Sequence, residues 1–389
     1  MSLTAGPDDA RPLPRPSRRT VLAGGLLGVG GAVLSAVPAG AAPAPPSGRV
    51  ISWGSNFLGE LGRRGIGPLL PGVVPGLSDI TAVAAGGENS YAIGVGGALW
   101  SWGGSAPGRI DPGGGYRRPG LVVGLPPVRA VAASELHALA VCTDGTVWSW
   151  GHNQLGELGD GTQQDRLLPG PVPGLTGVVA VAASSPSLSV ALTADGRVFT
   201  WGDGDAGALG NGGLLALRPG RVARLGPDRV GPVTAIAAGP EFGLAVLGDG
   251  SMYSWGINLV GQLGTGSNQP SIAPRPIQAL GIGRAVTVAA NNQGGLLLND
   301  RHRVKAWGQI RGNLTPDIVP TLTGITAIAG ALATSYALRA DGRVLAWGSN
   351  YAGELGRTTP ISSQRPLPVP AVTAIRAIAA GDQHALALT

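Results

Sequence analysis

Three features of the chain predict an all-β fold, a seven-bladed β-propeller. Trp-Gly recurs seven times along 389 residues, a tight turn precedes most of these pairs, and each end of the chain carries half of the repeated unit. The pairs begin at Trp53, Trp102, Trp150, Trp201, Trp255, Trp307 and Trp347, with spacings of 49, 48, 51, 54, 52 and 40 residues. Periods of this size mark units that bury their apolar faces only by stacking on neighbours. Composition agrees: 67 glycines with 13% charged residues suit short strands and tight turns, and 43% hydrophobic residues exclude a disordered chain.

Residues 1–41 read as an export signal. Arg18-Arg19 precede an uncharged stretch from Val21 to Val37, and Ala39-Gly40-Ala41 supplies small residues for cleavage. Ser17-Arg18-Arg19-Thr20-Val21-Leu22 resembles the twin-arginine signal, with Val21 in place of the more usual Phe. The apolar stretch is shorter than the ~20 residues a membrane span needs, so no stable span is expected after cleavage. A Pro-rich spacer, 42–46, leads into a propeller over 47–389.

Within each unit two apolar runs flank a turn such as Asp144-Gly145, Asp195-Gly196, Asp249-Gly250 or Asp341-Gly342. Asp-Gly tolerates positive φ, which predicts a β-hairpin closed by a type I′ turn. The strand entering each Trp-Gly has ordered columns. Three residues before the Trp stand Val50, Leu99, Val147, Val198, Met252, Val304 and Val344. One residue before it stand Ser52, Ser101, Ser149, Thr200, Ser254, Ala306 and Ala346. Because side chains alternate, these columns share one face, while the bulky Ile51, Trp100, Trp148, Phe199, Tyr253, Lys305 and Leu345 share the other with the Trp column. A strand with bulk on one face and small residues on the other leaves room for the next blade's Trp, and makes both Trp148 and Trp150 expected core wedges. The chain ends in "AIRAIAAGDQHALALT", a first half without its Trp-Gly, and "SGRVISWG" is a second half without its start. Joined, they make a seventh blade and remove the open strand edges.

The combination of A-[AI]-A-x-x-x-H-x-L-A-L, D-G-x-V-x-x-W-G and W-G-x-N-x-x-G-x-L-G resembles the regulator of chromosome condensation repeat family. "AASELHALAVCTDGTVWSWGHNQLGELGDG" is among its best copies here. Copies two and six depart from it, since "WGGSAPGRIDPGG" and "WGQIRGNLTPDIV" lack the N-x-x-G-x-L-G loop. The family histidine survives as His137 and His384, with Asn89, Ser187, Phe242, Gly294 and Thr334 elsewhere, which marks a structural position. The family's founder is a nuclear exchange factor for a small GTPase, a partner to which an exported chain has no access. Nearer in setting is the secreted β-lactamase-inhibitory propeller of actinobacteria, which binds through aromatic side chains on one loop face.

Catalytic machinery is not expected. No G-x-S-x-G, H-E-x-x-H or P-loop occurs. His302 falls in a hairpin turn and His152 in a loop. Glu60, Glu157 and Glu354 exchange with Gln262 in a sister copy, which fits a loop-shaping hydrogen bond rather than a general acid. Asp203-x-Asp205-x-Gly207 faintly resembles a calcium loop but lacks its later carboxylates. The one cysteine, Cys142, reads as a buried inert thiol. Of the net charge of +6, the first twenty residues carry Arg11, Arg15, Arg18 and Arg19 against Asp8 and Asp9, and the remaining +4 is spread without a run, which argues against nucleic acid. No cofactor or metal is therefore expected.

Phe57, Tyr351, Tyr116 and Phe242 are left as loop or rim aromatics. Phe57 and Tyr351 share one loop position in sequential blades, and with Arg63, Arg64, Arg357 and Tyr116 they form the expected partner patch. The reading is a secreted, monomeric, non-enzymatic propeller whose loops recognise a protein or cell-envelope component. An inhibitor of the β-lactamase-inhibitory type is one alternative, and a propeller lyase or other enzyme is another.

Overall fold

A computed structural model describes residues 27–28, 33–34, 48–104, 117–185, 187–276, 284–292, 294–309 and 312–389. The spacer at 42–46, Tyr116 and most of the expected export segment lie outside these residues. Within that segment only a short antiparallel pairing of Leu27–Gly28 with Val33–Leu34 is described.

The rest forms seven four-stranded antiparallel sheets, the blades of a closed ring. Blade 1 joins the chain ends: Ala377–Ala380, His384–Leu388, Val50–Gly54 and Leu69–Val73 pair in that order. Trp53 lies opposite Ala385 and Val50 opposite Leu388, so the two half-units complete one sheet as their sequences require. Blades 2 to 7 follow in chain order. Blade 3 is representative, with Val128–Ala133, His137–Cys142, Val147–Gly151 and Arg166–Pro171 running from the axis outward.

The innermost strands explain the repeated Ala-Ala and Ala-Gly pairs. Seven strands converge on the axis, and their backbones nearly touch. A Cβ on Gly86 would stand 1.9 Å from the Ala133 carbonyl oxygen, and one on Gly330 would stand 2.3 Å from that of Ala290. Larger side chains there would force the ring open.

The hairpins sit where the Asp-Gly pairs place them, but the turn differs from expectation. Cys142 N–H donates to Thr146 O (2.9 Å) and Gly145 N–H to Cys142 O (3.0 Å), and positive φ falls on Gly145 alone (83°). This is the three-residue loop that ends in a left-handed glycine bulge, rather than a type I′ turn. His302 occupies the glycine position of the corresponding loop in blade 6, at φ 56°.

The apolar and small columns are fully buried, as are all seven Trp of the Trp-Gly pairs. The first tryptophan of each doublet is not: Trp100 and Trp148 are half-buried. Trp150 is thus a core wedge and Trp148 is not. The difference is one of radius, because the Trp-Gly column meets the preceding blade's loop while the column two residues earlier faces partly outward.

The fourth strands carry no repeat signal strong enough to read beforehand. They include Arg166–Pro171, Leu215–Arg221, Asn313–Ile318 and Ser362–Pro368, and are largely exposed. Each of these four contains proline, which removes a donor from the open edge and so blocks pairing with another sheet.

Candidate binding face

Strand direction gives the ring two faces. Turns joining the first and second strands, and the W-G-x-N-x-x-G-x-L-G loops joining the third and fourth, emerge on one face. The Asp-Gly hairpin loops emerge on the other.

The first of these faces is built by a contact between neighbouring blades. Each loop presents one backbone carbonyl to the next blade's tryptophan. Trp53 Nε1 donates to Glu354 O (2.8 Å), Trp102 Nε1 to Glu60 O (2.8 Å) and Trp201 Nε1 to Glu157 O (2.7 Å). Trp255 bonds Ala208 O (2.9 Å) and Trp307 bonds Gln262 O (2.7 Å) in the same way. The last glycine of the loop lets the indole approach. Gly159 has φ 67°, and a Cβ on it would stand 2.7 Å from Trp201 Nε1. Blade 6 lacks the loop, and Trp347 Nε1, its neighbour, is buried without a partner among the described residues. The glycine-rich stretch is therefore a ring-closing element: where it is present, it supplies the acceptor for the tryptophan of the blade that follows.

The small column holds the same loop from its own blade. Ser52, Ser149, Thr200 and Ser254 hydroxyls donate to the carbonyls of Leu61, Leu158, Leu209 and Leu263, at 2.7–2.8 Å. The recurring Glu does what its exchange with Gln suggests. Glu157 accepts from Leu155 N–H (2.9 Å), Ser187 Oγ (3.0 Å) and His152 Nδ1 (2.7 Å), and Gln262 Oε1 accepts from Val260 N–H (2.9 Å).

The two family histidines bridge blades. His137 Nε2 lies 2.9 Å from Ser189 Oγ, and Ser189 Oγ donates to Glu157 O (2.9 Å). That hydroxyl has one hydrogen, so His137 Nε2 carries a proton and donates, leaving Nδ1 to accept from Ser134 Oγ (2.8 Å). His384 repeats the pattern on Ser90 Oγ (2.8 Å), which donates to Glu60 O. Gly381 stands where Ser134 stands, however, and His384 Nδ1 has no partner among the described residues. Burial lowers both pKa values to about 4, which keeps the rings neutral. Cys142 is buried, its thiol pKa raised to about 11 chiefly by desolvation.

The expected partner patch survives in part. Phe57 is 55% and Tyr351 77% exposed, at matching loop positions of blades 1 and 7. They flank the Gly67-Pro68 segment: a Cβ on Gly67 would lie 3.7 Å from Phe57 Cζ, and Tyr351 lines a cavity with Pro68 and Leu70. Arg64 is exposed. Arg63 and Arg357 are not free to reach a partner. Arg63 bonds Ser52 Oγ (3.2 Å), Ser52 O (3.1 Å) and Leu70 O, and Arg357 bonds Pro368 O. Arg166 does the same in blade 3, so this arginine column ties the loop to the outer strand. Phe242 is fully buried at the histidine position and is no rim aromatic. Sequence reasoning missed the aliphatic share of the face: Ile66 (74%) and Leu259 (66%) are exposed there, Leu259 at the very position held by Phe57 and Tyr351.

Asp203 Oδ1 accepts from Asp205 N–H (3.0 Å), a local turn, and no cluster of metal-ligating residues occurs among the described residues.

Models of the regulator of chromosome condensation (RCC1) repeat match residues 47–93, 144–192, 195–246, 249–298 and 341–388. A second model of the same repeat matches residues 128–157, 178–208 and 233–262, and the stretches 94–127 and 299–340, matched by neither, hold the two loops that lack the motif. The chain is 31% identical over 227 residues to the human probable E3 ubiquitin-protein ligase HERC6, which covers 54% of this chain and 22% of that protein. It spans less than two thirds of the length of the curated relatives it matches. Human WBSCR16 superposes with a TM-score of 0.78 at 24% identity, covering 88% of this chain and 98% of the other. Prp20p from Saccharomyces cerevisiae, whose structure was described with its binding properties to Gsp1p and histones, gives 0.76 at 21% identity, covering 88% and 91%. At these identities the superpositions establish the fold alone.

Proposed function

The chain belongs to the regulator of chromosome condensation repeat family, and from that membership we propose that it is an exported, non-enzymatic propeller whose loop face recognises a protein or cell-envelope partner. One observation carries the reading. Phe57 and Tyr351, with Leu259 at the same position of blade 5, put large apolar side chains into solvent on one face. Exposed aromatics on a rigid scaffold are suited to anchoring a partner. The two family histidines are committed to holding blades together, and so are poor candidates for proton transfer. A binding role also agrees with Prp20p, a propeller of this fold described as binding proteins. Export is supported by the Ser17–Leu22 motif and the uncharged stretch that follows it.

The test is site-specific photo-crosslinking in the producing cells, with p-benzoylphenylalanine at Tyr351, Phe57 or, on the opposite face, Asp195. A single adduct from Tyr351 and Phe57 but not Asp195 is expected. Equal capture from both faces would refute the assignment of the binding face. Titrating class A β-lactamases tests the inhibitor form of the reading. Stoichiometric loss of hydrolysis at nanomolar protein, about −12 kcal/mol of binding, would identify that partner, and full activity at micromolar protein would exclude it.

A further inference from the structure

Around the channel mouth on the loop face, the turns joining first and second strands carry Glu88, Glu135, Glu241 and Asp382, and no lysine or arginine. In a chain of net charge +6 this is a local reversal of sign. Three of these acids converge where blades 7, 1, 2 and 3 meet, in a cavity of about 190 Å³. Glu88, Glu135 and Asp382 line it, and Phe57, Leu58 and Leu332 form its apolar rim, 55%, 43% and 37% exposed. None of the three carboxylates has a basic partner among the described residues.

Their titration registers the crowding. Asp382 is pushed up to about 6, by burial first and then by Glu135. Glu88 is raised by burial and by the charges of Glu60, Glu135 and Asp382. A second observation is independent of charge. His384 lines the same cavity at 1% exposure, and its Nδ1 is a bare acceptor, because Gly381 replaces the serine that serves His137. Carboxylates without a cation and an acceptor without a donor call for the same thing: a ligand that is positively charged and rich in N–H groups.

We propose that this cavity receives one basic side chain, arginine or lysine, from the partner protein. The proposal rests on the binding role assigned to the loop face and names the chemistry recognised there. The rim fits such an occupant. Long basic side chains lay apolar stems along hydrophobic surface while the charged head reaches acceptors, and Phe57 offers a ring face for a guanidinium. A bound cation also relieves the repulsion among Glu88, Glu135 and Asp382.

The test uses the full chain and the peptide Ac-Leu-Arg-Leu-NH2, followed by NMR titration against the isosteric citrulline peptide, which lacks the charge. Arginine is expected to bind at least tenfold tighter than citrulline. The triple variant Glu88→Gln, Glu135→Gln, Asp382→Asn should erase that preference, while Asp195→Asn on the opposite face leaves it intact. The single variants Glu88→Gln and Glu135→Gln, expected to weaken binding severalfold, serve if the triple variant fails to fold. Equal binding of both peptides, no binding of either, or a preference that survives the carboxylate variants would overturn the proposal. Crosslinking from Tyr351 decides the loop-face reading separately, so each can fail alone.

Discussion

Replacing tryptophan by phenylalanine at two equivalent positions, Trp201 and Trp347, isolates the hydrogen bond between blades. Both side chains are buried and belong to the same repeat column, so both variants lose the same difference between indole and phenyl. Trp201→Phe also loses a 2.7 Å bond to Glu157 O, a net loss of about 1 kcal/mol. The carbonyl is not orphaned, because Ser189 Oγ still donates to it. Trp347→Phe instead removes a buried donor with no partner among the described residues, relieving a cost of ~1–3 kcal/mol. Trp201→Phe should therefore be the more destabilising variant by about 2–4 kcal/mol. The assay is equilibrium urea denaturation followed by far-UV circular dichroism, with midpoints compared at a common m-value. Equal losses, or a larger loss at Trp347, would refute the view that the loop carbonyl is a stabilising acceptor.

Three further outcomes follow from named groups. His137 and His384 sit near pKa 4 in the fold against 6.5 for the free side chain. Their contribution is complete above the unfolded value and is lost as pH falls from about 6.5 to about 4, by roughly 3 kcal/mol each. The drop in Tm between those pH values should shrink in the variant His137→Asn, His384→Asn. Asp382, raised to about 6, acts in the opposite direction and is common to both proteins. Gly159→Ala should cost ~2 kcal/mol or more, since it combines positive φ with a clash on the Trp201 indole, whereas alanine at Gly174, with no atom within 4 Å of a Cβ, should cost less. Denaturation midpoints compare the two. Cys142 should resist Ellman's reagent in the folded protein and react at once in denaturant, and fast labelling of the native chain would contradict its burial.

Fold and ring closure were legible because their determinants are local and repeated. Trp-Gly, Asp-Gly and the alternation around them fix hairpins residue by residue, and "SGRVISWG" declares its need for the strand at the far end of the chain. Glu157 was readable as structural because Gln262 stands in for it. The turn type was not readable, because Asp-Gly serves both a two-residue turn and a three-residue loop, and only the bond from Cys142 N–H to Thr146 O distinguishes them. Trp148 and Trp150 look alike in sequence and part company only at their different radii in the ring. The binding face mixed both kinds of information. Exposure of Phe57 and Tyr351 followed from loop position, but Arg63 and Arg357 looked free until their own blades' carbonyls were found to hold them.

The sequence by itself determined the unit, its sevenfold repetition and the sharing of one blade between the chain ends, since backbone propensity and side-chain alternation act over a few residues. Only the tertiary structure decided what meets across blades. Asp382 belongs to the last turn of the chain and Glu88 to the first complete blade, and ring closure alone brings them to one cavity. Hydrogen bonds and charge repulsion act through space over a few ångströms, so the bond from His384 Nε2 to Ser90 Oγ and the crowding of Asp382 with Glu88 exist only once the circle is closed.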